Sequence, residues 1–122
     1  MKILITGKNG QVGQCLQLAL QAFPNVDVLA YGREELDITN SLAVQEVVSR
    51  YKPNVIINAA AYTAVDKAES EQSLAFDINA TGPKNLAMAA NDIGSSIIQI
   101  STDYVFAGNH VDEYKEAEAT SP

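Results

Sequence analysis

Apolar and polar positions alternate in blocks along this chain. Lys2–Thr6 is an apolar run ending in a small polar residue, the length and composition of a strand. Glycines follow in the spacing Gly7-x-x-Gly10-x-x-Gly13, and then apolar residues recur at helical intervals: Val12, Leu16, Ala19, Leu20 and Phe23. A helix is expected from about Gln11 to Ala22, stopped by Pro24. Val26–Tyr31 reads as a second strand. After the loop Gly32–Glu35 and the segment Leu36-Asp37-Ile38, Thr39 to Ser41 offer helix caps, and Val44, Val47, Val48 and Tyr51 share one helical face. Asn54–Asn58 is apolar on both faces, as a buried parallel strand is. A small-residue loop, Ala59–Asp66, leads to a long helix over about Glu71–Asn91, which Gly82-Pro83 should bend. Ser96–Ser101 is the fourth strand.

Strands alternating with helices predict an α/β fold, a Rossmann-like doubly wound parallel sheet that is incomplete in this chain. In such sheets ligands bind beyond the strand carboxyl ends, where the strand order switches. The chain sends four segments there: Gly7–Gly13, Gly32–Ile38, Asn58–Val65 and Ser101–Asp103.

The first segment has a chemistry of its own. A helix start carries unpaired N–H groups and a partial positive charge, and a pyrophosphate can sit on it. Gly7 suits the sharp turn, Gly10 keeps side chains off a phosphate, and Gly13 lets helix and sheet approach closely. The same spacing also serves a plain glycine turn, and its place directly after an N-terminal strand favours nucleotide binding. Strand two ends without the Asp or Glu that would bond the ribose hydroxyls of NAD; Arg33 follows instead and can accept a 2′-phosphate. NADPH is therefore the expected cofactor and NADH a possible one, since Glu34 and Glu35 adjoin the arginine; a solvated surface arginine is the alternative. Asp37 can reach an adenine amino group or serve a helix start. Ala59, Ala60 and Ala61 are small enough for a flat cofactor or for close helix packing. Thr102 can hydrogen-bond a substrate carbonyl and Asp103 a substrate hydroxyl, and a plain capped turn is the competing reading. Asn79 is expected either to support this site or to be a surface residue.

Composition narrows the field. The 122 residues suffice for one domain, which should bury about two-thirds of its surface on folding. A net charge of −7 argues against sequence-independent nucleic-acid binding. The single cysteine, Cys15, lies on the expected apolar face of the first helix and reads as a core residue; no disulfide framework is possible. One histidine, His110, sits in a polar loop and is expected to be solvated, and no metal-ligand spacing occurs. No apolar run approaches a membrane span, so a cytoplasmic protein without a membrane partner is the expectation. Beyond Gly108 the chain turns acidic and polar, which reads as a cut inside a longer protein. Four strands with an open edge predict marginal stability or self-association, and a possible homodimer at full length.

Gly7-Lys8-Asn9-Gly10-Gln11-Val12-Gly13, Leu36-Asp37-Ile38-Thr39, the block from Asn58 to Glu69 and Ser101-Thr102-Asp103-Tyr104-Val105-Phe106 together resemble the dTDP-4-dehydrorhamnose reductases, a branch of the extended short-chain dehydrogenase/reductase superfamily. The resemblance implies NAD(P)H-dependent reduction of the 4-keto group of a dTDP-linked 6-deoxy-4-ketohexose to give dTDP-L-rhamnose. It implies pyrophosphate contacts at Gly10, Gln11 and Val12, adenine contacts at Asp37 and Ile38, and further cofactor contacts at Ala61, Tyr62 and Thr63. It implies a catalytic Thr102, with Thr102, Asp103 and Val65 facing the sugar nucleotide. The family's catalytic Tyr-x-x-x-Lys is missing: Tyr31, Tyr51, Tyr62, Tyr104 and Tyr114 are followed four places on by Glu35, Val55, Asp66, Gly108 and Glu118. Residues 1–122 then correspond to the N-terminal cofactor-binding part, inactive alone. A non-catalytic dinucleotide- or partner-binding module and a sugar-nucleotide epimerase or dehydratase are the alternatives.

Overall fold

The computed structural model describes every residue except His110 and the side chain of Asp103; the readings of His110 as solvated and of Asp103 as a substrate contact therefore lie outside the described residues. Four strands form one sheet: β1 (Lys2–Thr6), β2 (Asp27–Tyr31), β3 (Val55–Asn58) and β4 (Ser96–Gln99). All are parallel in the order β2-β1-β3-β4. The order reverses between β1 and β3, so the switch point lies directly above the glycine turn.

Strand pleating assigns the core. Leu4 and Ile56 point to one face, where α2 (Ser41–Tyr51) and α5 (Gly82–Ile93) cover them with Val44, Val48, Leu86, Ala89 and Ala90, all buried. Ile3, Ile5 and Ile57 point to the other face, where α1 (Gln11–Leu20) meets them with Leu16 and Leu20. Asn40 caps α2, its side chain accepting the Ala43 N–H at 3.1 Å.

Three expectations need correction. Cys15 is exposed, not in the core, and so are Val12 and Phe23. The patch of sheet beneath α1 is only three isoleucines wide, and Leu16 and Leu20 suffice to cover it. The helix ends at Leu20 rather than Ala22, because the N–H groups of Gln21, Ala22 and Phe23 turn to carbonyls three residues back before Pro24. The long helix runs on from Gln72 to Ile93, but through a π-helical segment rather than as one bent α-helix. After a short α3 (Val65–Ala68), α4 (Gln72–Phe76) passes into a π-helical segment (Asp77–Thr81) that joins α5. Pro83 has no N–H to give the Asn79 carbonyl, and the wider turn absorbs the missing bond.

Leu86→Ala should lower unfolding free energy by about 2–5 kcal/mol, since the side chain is fully buried. Leu42→Ala, on the exposed side of α2, should change it by no more than about 0.5 kcal/mol. Urea denaturation followed by circular dichroism checks both.

Candidate functional site

The site is built from the carboxyl ends of β1, β3 and β2. Gly7 ends β1 with φ +76°, in the left-handed region. A Cβ there would lie 2.5 Å from the Ala59 carbonyl carbon and the Ala60 nitrogen, so the turn rests directly on backbone. Gly13 is as constrained: a Cβ would come within 2.0 Å of the Gly7 carbonyl oxygen. Gly10 is different. Its nearest such neighbour is the Gly7 oxygen at 3.5 Å, and its outer face is open. It precedes α1 without any side-chain cap, and no acid stands in the first turn. The first N–H groups of α1 therefore face outward without a competing anion, a cradle suited to a phosphate. The donor set and the open space above Gly10 fit the pyrophosphate of a dinucleotide.

Side chains hold the turn in place. Gln17 donates to the Lys8 carbonyl at 2.9 Å and to that of Gly13 at 3.0 Å, and Gln14 donates to the Asn9 carbonyl at 2.9 Å. These bonds turn carbonyls inward and leave N–H groups for a ligand. Beneath them runs a buried polar chain that sequence reasoning missed. Thr6 donates to Asn58 Oδ1 at 2.6 Å, Asn58 Oδ1 also accepts the Ala60 N–H at 3.1 Å, and Asn58 Nδ2 donates to Gln99 Oε1 at 2.7 Å. Its one sequence signal is a polar residue closing each of two apolar strands.

The cofactor candidates divide. Gly7, Gly10, Gln11, Val12 and Gly13 form the turn; Ala60 and Ala61 follow β3 above it. Tyr62 is pinned through its backbone, its N–H donating to Asn79 Oδ1 at 2.8 Å and its carbonyl accepting from Asn79 Nδ2 at 3.3 Å. Asn79 is thus a supporting residue, presented by the π segment. The Tyr62 hydroxyl donates to Glu71, whose carboxylate raises it above its ordinary value. Thr63 is exposed beside it. Ile38 is 5% exposed, its side chain in the core against Gly82 and its carbonyl accepting the Asn85 side-chain amide at 2.9 Å. Asp37 does not cap α2. Its Oδ1 accepts the Thr39 hydroxyl at 2.7 Å and the Thr39 N–H at 3.0 Å. The Thr39 hydroxyl, then its N–H and the charge of Arg33, hold the Asp37 carboxyl below its ordinary range against the opposing effect of burial. Arg33 is exposed and makes no ion pair among the described residues.

Glu35 is engaged by residues other than Arg33. It pairs with Lys8 of the glycine turn and accepts the Gly32 N–H, and these bonds, led by that from Lys8, keep its carboxyl below the usual range. Val65 is half exposed at the start of α3. Thr102 is exposed past the end of β4, and its hydroxyl has no hydrogen-bond partner among the described residues. Beyond it Phe106 stacks on Tyr114 with ring centres 4.6 Å apart. Among the described residues no cluster of His, Cys, Asp and Glu could hold a metal ion, and no helix is long and apolar enough to cross a membrane.

A parallel sheet with a glycine turn at its switch point and an uncapped helix start above it defines a Rossmann-type α/β domain. The chain belongs to the family described as the RmlD substrate binding domain, which matches residues 1–122. It is 47% identical over 121 residues to a dTDP-4-dehydrorhamnose reductase of Aggregatibacter actinomycetemcomitans, a match covering 99% of this chain and 41% of that protein. A solved dTDP-4-dehydrorhamnose reductase from Clostridium acetobutylicum is 52% identical with a TM-score of 0.95, over 100% of this chain and 43% of that one. That of Bacillus anthracis, solved in complex with NADP, is 44% identical with a TM-score of 0.93, over 99% and 43%. The chain thus spans about two-fifths of the length of the relatives it matches.

The Asp37 bonds have a pH signature. Its folded-state value is depressed from 3.8, so its stabilisation is complete above that value and is lost as pH falls through the lower folded one. Asp37→Asn should flatten this part of the acid limb of the stability–pH profile, measured by thermal unfolding between pH 7 and pH 2.

Proposed function

We propose that residues 1–122 are the N-terminal cofactor-binding part of an NAD(P)H-dependent dTDP-4-dehydrorhamnose reductase. The whole protein reduces the 4-keto group of dTDP-4-dehydro-L-rhamnose to give dTDP-L-rhamnose, a step of nucleotide-sugar and polysaccharide biosynthesis set in the cytoplasm. The observation that carries the reading is the glycine turn: Gly7 and Gly13 admit no side chain, while Gly10 and the start of α1 are open to a pyrophosphate. The reductases named above, alike over the whole of this chain, support the substrate. NADPH is the favoured cofactor because Arg33, in the loop after β2, is exposed and makes no ion pair among the described residues, and a relative was solved with NADP.

In this reading Gly10, Gln11 and Val12 take the pyrophosphate through backbone N–H groups. Asp37 and Ile38 take the adenine, Arg33 the 2′-phosphate, and Ala60, Ala61, Tyr62 and Thr63 the nicotinamide half. The nicotinamide supplies the hydride when bound. The Thr102 hydroxyl, without a hydrogen-bond partner among the described residues, donates to the substrate carbonyl oxygen as charge develops there. Asp103 and Val65 face the sugar. No Tyr-x-x-x-Lys occurs in the 122 residues, so the proton donor is assigned to a part of the protein outside them, and the piece alone is inactive.

The full-length protein, given NADPH and dTDP-4-dehydro-L-rhamnose, should oxidise NADPH only when the sugar is present. Thr102→Val should lower kcat about 10–1,000-fold while leaving the Kd for NADPH unchanged. NADPH binding without sugar-dependent oxidation would move the non-catalytic module ahead; unchanged turnover in the variant would remove Thr102 from the chemistry.

A further inference from the structure

The end of β2 holds an arrangement that the cofactor reading does not absorb. The residue after Tyr31 is Gly32, at the position from which an acid reaches the ribose in NAD-type sites. The space such a side chain would use is already filled. A Cβ on Gly32 would lie 2.8 Å from Asn9 Nδ2 and 3.4 Å from Glu35 Oε2. A carboxylate therefore does stand at the end of β2, delivered from three residues downstream. It is fixed there by two bonds: Glu35 Oε2 accepts the Gly32 N–H at 2.5 Å, and Oε1 pairs with Lys8 Nζ of the glycine turn. The side chains of Lys8 and Glu35 remain 30% and 40% exposed, so a ribose above the turn can reach both.

Resting on the dinucleotide reading above, we infer that the Lys8–Glu35 pair, with Arg33 beside it, determines the choice between NADPH and NADH. Glu35 offers the hydroxyl acceptor that an NADH ribose needs. Lys8 neutralises it, so that a 2′-phosphate meets no net negative charge and finds Lys8 and Arg33 as partners. The pair makes the site tolerant of both cofactors, and either partner removed alone tips the balance. Without the carboxylate charge two cations face the ribose, which favours the phosphate. Without the ammonium the carboxylate repels the phosphate and keeps its hydroxyl bonds.

The test is the ratio of Kd values for NADH and NADPH, read by nicotinamide fluorescence on the full-length protein. Glu35→Gln keeps the shape and an acceptor for the Gly32 N–H. It should raise the preference for NADPH by about tenfold, the change that 1.4 kcal/mol of selectivity produces. Lys8→Met should lower it by a similar factor, and the double variant should return to within about threefold of the parent ratio. A ratio unmoved in both single variants, or moved the same way by both, overturns the inference. Should the unaltered protein bind neither nucleotide, the dinucleotide reading itself falls, whatever the variants do.

Discussion

The closeness of three backbone segments governs this molecule. Gly7 is held at positive φ against the peptide joining Ala59 and Ala60, and Gly13 is held against the Gly7 carbonyl. Both contacts lie within the distance that any Cβ would need, so the strand, the turn and the helix can be brought together only by residues without one. β1 lies between β2 and β3, and both neighbours bond the chain around the turn: the Lys8 N–H donates to the Tyr31 carbonyl and the Ala59 N–H to that of Thr6. A side chain forced in at Gly7 or Gly13 would therefore displace three strand ends together, and with them every segment that faces the switch point.

The polar chain below the turn works in the same direction. Thr6 and Asn58 are essentially inaccessible to water, and no buried side-chain nitrogen or oxygen among the described residues lacks a partner. Leaving such a group unsatisfied costs about 1–3 kcal/mol. The network is thus stable in one arrangement only: Thr6 on Asn58, Asn58 on Gln99, and the Ala60 N–H drawn down onto the Asn58 oxygen. That last bond sets the path of the small-residue loop over the sheet, so a buried polar group shapes an exposed surface.

What the sequence made legible follows from period and chain chemistry. Parallel strands buried on both faces announce themselves as unbroken apolar runs, and β1 and β3 are of that kind. The glycine spacing after a strand has one dominant geometry. Side-chain placement on α1 was not legible, because helical period shows which residues share a face but not how much sheet that face meets; Cys15 and Val12 lie outside a patch of three isoleucines. Nor does helical period reveal a π segment. It arises from the bond that Pro83 cannot make, and its effect is to present Asn79 to Tyr62, seventeen positions earlier. Ile38 shows the converse: a residue matched to a cofactor contact by motif spends its side chain on the core and its carbonyl on the Asn85 amide.

The two halves of the candidate site consequently rest on different physics. The phosphate end is made of backbone: glycine positions, an uncapped helix start, and carbonyls tied back by Gln14 and Gln17. Backbone donors fixed by a sheet are pre-organised, and a ligand that meets them has little ordering left to impose. The end proposed for the sugar is made of side chains on exposed segments, where Thr102 has no hydrogen-bond partner among the described residues and Val65 is open to solvent. A hydroxyl without such a bond keeps its donor available, and none of the described side chains orients it. In the proposed function its orientation comes from what it touches when substrate and cofactor are both in place. On the proposed reading, the backbone-built half needs nothing beyond these strands and turns, whereas the side-chain-built half waits on its ligands for its geometry.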